Sequence, residues 1–200
     1  LCGFIRMSST GLSAQAKGEQ DAEAKSRVFW QSCSVALAIG LVIWAVQKPL
    51  LALGIHFAQP ETQLLEVIQQ YFSVRIAGAP AALVNLAIIG WLIGQQKTKQ
   101  VLYIQIFANL LNAGLSILLV FVFDQGVKGV ALASVAAEYS ILLLGMWVAF
   151  KGMGLLMPHW ALWRWSSLAQ LMSLNGYSFV RNLALQVCLA FVIFQGARFG

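Results

Sequence analysis

Four stretches of this chain contain no Asp, Glu, Lys or Arg: 28–47, 76–96, 100–123 and 182–197. A fifth, 129–150, contains only Glu138. A helix rising about 1.5 Å per residue needs roughly 20 apolar residues to cross about 30 Å of hydrocarbon. Four of the five runs have that length, and 182–197 is slightly short but meets the end of the chain. Residues 1–16 form a further apolar stretch, broken by Arg6. Membrane strands alternate apolar and polar residues over about ten positions, and these runs do not. Only 10% of the 200 residues are charged and 60% are hydrophobic, where a soluble domain carries about 25% charged residues. The solvent of such a chain is lipid, and the lipid bilayer is its first partner.

The fold this predicts is all-α: a polytopic membrane helix bundle of about six transmembrane helices, over 1–16, 28–54, 71–95, 101–123, 128–150 and 178–200. The links are then 17–27, 55–70, 96–100, 124–127 and 151–177, and the shortest make their flanking helices antiparallel neighbours. With 17–27 cytoplasmic, the inside holds Lys17, Lys25, Arg27, Lys97, Lys99, Lys151, Arg164 and Arg181, against Lys48, Arg75 and Lys128 outside. That asymmetry obeys the positive-inside bias. The net charge of +6 is spread singly between apolar runs, so no nucleic-acid partner is expected. Trp160, Trp163 and Trp165 with Arg164 suggest a segment lying at the headgroups. Cys2, Cys33 and Cys188 sit in apolar segments without metal-ligand spacing and read as small buried hydrophobes. Leu1 opens inside one apolar segment and Gly200 closes just after another, so a fragment of a longer protein is expected.

Polar groups are expensive in hydrocarbon, which makes their placement informative. Gln105, Asn109, Asn112 and Ser116 recur at helical spacing and share one face. Ser134 and Glu138 are four apart on the following helix, and Glu138 is the only carboxylate within a complete span. Gly78, Pro80 and Asn85 mark a bend with an amide just beyond it. Interhelical hydrogen bonding, at about 0.6 kcal/mol each, is the better account of Gln105 and Asn109 and an equal one for Asn112 and Ser134. For Glu138 function is the better account, because a buried acid is costly unless it binds a proton or cation. Gly90 and Gly94 read as a close helix-packing pair. An enzyme is not expected: His56 and His159 fall on opposite sides of the membrane, and one buried carboxylate forms no acid–base dyad.

Four stretches carry a family resemblance. They are Gly3–Ala16 (GFIRMSSTGLSAQA), Tyr71–Leu83 (YFSVRIAGAPAAL), Gly126–Ser134 (GVKGVALAS) and Phe194–Arg198 (FQGAR). In this order they resemble MATE (multidrug and toxic compound extrusion) transporters, in the branch named for DNA-damage-inducible protein F (DinF). The most specific part is the Arg-Ile-x-Gly-Ala-Pro-Ala segment beginning at Arg75. The resemblance implies the second to seventh helices of a twelve-helix, two-lobe protein. Residues 1–150 would be most of the N-terminal six-helix lobe, 151–177 a cytoplasmic inter-lobe linker, and 178–200 the first helix of the second lobe. It further implies a monomer when full length, in the bacterial inner membrane. Such a protein exports small cationic or amphipathic compounds in exchange for H+ or Na+ by alternating access, with no cofactor beyond the coupling ion. A lipid-linked precursor flippase of related architecture is the alternative.

The family's cation site takes an Asp from the first helix and, in the fifth, an Asn followed four residues later by an Asp. This chain has Asn112 and then Ser116, a neutral hydroxyl that offsets an ion's lost hydration less well than a carboxylate. Ser134 stands where the sixth helix supplies a hydroxyl. The expected cation or substrate site is therefore Asn85, Asn109, Asn112, Ser116, Ser134 and Glu138, with Asn112, Ser134 and Glu138 lining one polar cavity and Glu138 assisting proton coupling.

Overall fold

In lipid no water is available to a backbone N–H or C=O, so a spanning segment is an α-helix or a strand of a closed barrel. The computed structural model describes residues 3–58 and 62–153, with further helical positions scattered between 169 and 188. Its helices are α1 (Gly3–Gly18), α2 (Ala22–Ala45), α3 (Gln47–Ala58), α4 (Thr62–Arg75), α5 (Ala79–Gly94), α6 (Thr98–Ile117) and α7 (Gly126–Met153). A 3-10 turn, Ile76–Gly78, joins α4 to α5, and a π turn, Leu118–Val122, ends α6. No strand occurs among the described residues. Four runs among them are long and apolar enough to cross a membrane: Ala22–Ala45, Leu64–Gly94, Thr98–Val122 and Gly126–Lys151.

The helix ends depart from the expected ones in three places. The link expected over 17–27 is only 19–21, because α1 runs on to Gly18 and α2 starts at Ala22. There Asp21 takes the N-cap, its Oδ1 accepting from the Glu23 N–H at 2.8 Å, and Glu23 faces Arg27 one turn later at 3.8 Å. The expected helix 28–54 is broken at Val46. Pro49 has no N–H for the Ala45 carbonyl, so the ladder between α2 and α3 cannot be continuous. Residues 62–70, expected as link, belong to α4. Charge marks where hydrocarbon ends, not where helix ends. Of the helix expected over 178–200, residues 180–186 and 188 are described and are helical. The 151–177 linker, the tryptophan cluster and the start of the second lobe lie largely or wholly outside the described residues.

Helix α5 organises the bundle. It is apolar on every side, so it can be buried on every side, and 11 of its 16 residues are. It packs against α1, α2, α6 and α7. Trp91, Ile88, Leu92 and Ala87 form the centre with Phe29 and Ala36 of α2. The Trp91 ring meets Phe29 edge-on at 5.0 Å, and its Nε1 donates to the Lys25 carbonyl at 3.0 Å. Gly90 and Gly94 are the close-packing pair expected: a Cβ would lie 2.5 Å from the Arg6 carbonyl oxygen at Gly90 and 2.5 Å from that of Thr10 at Gly94. Without those methyl groups α1 comes near enough for Ser13 Oγ to donate to the Trp91 carbonyl at 2.8 Å. At the same end Lys17 Nζ reaches the Gln95 carbonyl at 3.1 Å, a cation on the last turn of α5.

Candidate functional site

On helix α7, Ser134 and Glu138 stand one turn apart, and each meets a different neighbour. Ser134 faces α6, where Asn112 Nδ2 donates to its Oγ at 3.1 Å; the hydroxyl in turn donates to the Val130 carbonyl at 3.0 Å. Glu138 faces α4. Its Oε2 accepts from Arg75 Nη1 at 2.9 Å and its Oε1 from Arg75 Nη2 at 2.5 Å, the two-pronged geometry that a guanidinium offers a carboxylate. Of the three residues expected to line one polar cavity, Asn112 and Ser134 are thus in contact, while Glu138, one turn later, pairs with Arg75. The carboxylate turns instead toward Arg75, its one charged partner among the described residues.

The bend before α5 is what lets the pair form. Arg75 is the last residue of α4, the 3-10 turn Ile76–Gly78 follows, and Pro80 stands in the first turn of α5. A methyl group at Gly78 would collide with both the Glu138 carboxylate and the Arg75 guanidinium. The turn is also tied to α7 by Tyr139, whose hydroxyl donates to the Ala77 carbonyl at 3.2 Å. Beyond it, Asn85 Nδ2 donates to the main-chain oxygen of Glu138 at 2.8 Å. Its Oδ1 is buried without a partner.

Four of the six expected residues therefore join two clusters along α7: Asn112 with Ser134, and Asn85 with Glu138. Ser116 is half-buried and Asn109 is exposed on α6, as is Gln105, so the polar face of that helix is only partly covered by the described residues. Arg75 is the partner that the sequence does not single out: it lies in the first turns of the helix expected over 71–95 and reads there as one of three basic residues on the outer side. A bidentate pair with 15% of the carboxylate side chain and 34% of the guanidinium side chain exposed carries a desolvation cost that its own attraction roughly offsets. The pair is part-buried, and removing either partner leaves the other charge without its counter-ion in a poorly solvated place.

A cavity of about 560 Å³ opens between α2, α5 and α7, lined by Trp30, Trp44, Val84, Pro80, Tyr139 and Met146 among others. None of the six expected residues lines it. Ala77 and Tyr139 do, so the cavity wall includes the turn that follows Arg75. No group of three or more His, Cys, Asp or Glu residues that could hold a metal occurs among the described residues.

Residues 3–118 match the family model described as MatE. DNA damage-inducible protein F of Escherichia coli is 35% identical over 202 residues, covering 98% of this chain and 44% of that protein. Protein DETOXIFICATION 43 of Arabidopsis thaliana is 28% identical over 172 residues, covering 82% of this chain and 32% of that protein. Among solved structures, MATE in complex with MaD5 superposes with a TM-score of 0.84 at 18% identity, over 96% of this chain and 44% of that one. The inward-facing conformation of a multidrug resistance MATE family transporter gives 0.75 at 18% identity, over 88% and 41%. At that identity the likeness is one of fold. The chain spans less than half the length of these relatives.

Proposed function

Because this chain belongs to the MatE family, we propose that it forms part of an antiporter driven by H+ or Na+, which exports cationic or amphipathic compounds by alternating access. It is a multi-pass membrane chain, and its seat is the bacterial inner membrane. The observation that carries the reading is the row of polar groups along α7. Ser134 and Glu138 lie in the crossing of a largely apolar helix, and each is engaged by a different helix. A membrane helix tolerates such groups when they line a path for ions or hold a moving interface.

The lipid-linked flippase reading wants a basic cavity. In this row the one guanidinium is matched by a carboxylate, and the rest are amides and hydroxyls, which favours the cation exporter. The test is transport in the natural protein carrying this sequence. Asn112→Ala removes the amide from the α6–α7 contact and leaves every charge in place. Cells making this variant at wild-type membrane levels should accumulate a cationic dye several-fold more than cells making the parent protein. Unchanged dye export by both Asn112→Ala and Ser134→Ala would mean that the contact only packs two helices.

A further inference from the structure

Each oxygen of Glu138 already carries one nitrogen of the Arg75 guanidinium. Resting on the cation-coupled reading above, we propose that Arg75 is a tethered cation that occupies the Glu138 carboxylate in this conformation and yields it to a monovalent coupling cation, H+ or Na+, in another. Arginine stays protonated at any pH a cell meets. It therefore cannot be neutralised in place and must move away for Glu138 to take a different charge.

The surroundings permit that movement. Arg75 closes α4 and is followed at once by three residues of 3-10 turn, a segment of poorer hydrogen-bond geometry that often marks a hinge. Gly78 leaves the space against the pair empty of side chain. A third of the Arg75 side chain is exposed against 15% for Glu138, so the guanidinium has the open side and the carboxylate stays in the wall. Tyr71, one turn earlier on α4, also faces Arg75 and gives the departing guanidinium a hydroxyl and a ring. On the other side Asn85 already holds the Glu138 main chain and keeps a buried, unpartnered Oδ1, a neutral oxygen beside the residue that the incoming cation would join.

Among the described residues, no other ionisable group near the pair competes for the role. From α4, Arg75 and Tyr71 face it; on α7, Tyr139 is committed to the Ala77 carbonyl. Helix α5 and both irregular turns carry no ionisable side chain, and those of α6 are Lys99 and Tyr103, in its first two turns. Exchange also keeps the carboxylate paired at every stage. A site that merely emptied would leave a charge alone in a poorly solvated place, which proteins avoid.

The test uses thermal unfolding of the natural protein, purified in detergent. One arm titrates Na+ against choline at fixed pH, and the other titrates pH in choline alone. A ligand that binds only the folded state raises Tm as it saturates. Arg75→Gln vacates Glu138, so its Tm should respond to Na+ or to protons at a concentration at least tenfold below that needed by the parent. In Arg75→Gln/Glu138→Gln the response should be gone. Arg75→Lys keeps the charge but loses the fork, so its half-response should fall between parent and Arg75→Gln; it also carries the test if Arg75→Gln does not fold. An Arg75 variant whose response matches the parent, or a double variant that keeps the response, overturns the proposal. A parent protein that exports dye while Arg75→Gln shows no new response overturns the exchange and leaves the export reading standing.

Discussion

Gly78 separates a structural feature from an ordinary helix residue. Its missing side chain is the space in which a carboxylate and a guanidinium meet. In Gly78→Ala the methyl group must displace one or both, and overpacking of this kind costs typically about 1–3 kcal/mol. The variant should therefore lose several degrees of Tm, and Glu138→Ala, which clears the obstructing carboxylate, should make the same methyl group cheaper to add. Additive losses in Gly78→Ala/Glu138→Ala would mean that the collision is relieved elsewhere. The chemistry here was half legible in the sequence. Glu138 stands out because it is the only acid in its span. Arg75 does not, because it falls in the first turns of the helix expected over 71–95, where a basic residue near the membrane surface calls for no partner. A lone buried acid implies a counter-ion, and Arg75, in the most family-specific segment, was the nearest basic residue to a predicted bend.

At the scale of elements, small residues fix how closely α5 is approached. Gly94 touches main chain of α1, which cannot swing away as a side-chain tip can. Gly94→Val should push α1 off α5, break the Ser13–Trp91 bond, and lower the yield of folded protein and its Tm, again by about 1–3 kcal/mol. Gly114 on α6 has nothing within 4 Å of an added Cβ, so Gly114→Ala should leave Tm unchanged or slightly raised. Equal losses at both glycines would show that helix flexibility matters there rather than approach. The Gly90–Gly94 spacing and the bend near Pro80 could be read in advance, since both follow from local geometry. The break at Val46 was missed although Pro49 announces it, because hydropathy averages over the very residue that interrupts the ladder. The helical character of 22–27 and 62–70 was missed for the opposite reason: charged residues form good helix when they pair along one face or sit beyond the hydrocarbon.

For the whole molecule, the charge-free runs specified an all-helical membrane bundle, and the described spans agree with it. What hydropathy could not supply was partnership. It places residues by depth, and says nothing about which of two neighbouring helices a side chain at that depth will choose. Glu138 chose α4 over α6 because a guanidinium outcompetes an amide for a carboxylate. The proposed function couples cation entry to drug exit in the protein that carries this chain. The most direct measurement reconstitutes that natural protein in liposomes loaded with a cationic dye and imposes a gradient of protons, or separately of sodium, with the membrane potential clamped. Dye should leave only when the effective cation is high outside, and Glu138→Gln, reconstituted to the same density, should export with little or no dependence on that gradient. Dye exit at the same rate with and without either gradient, or an unaltered gradient dependence in Glu138→Gln, would contradict the account.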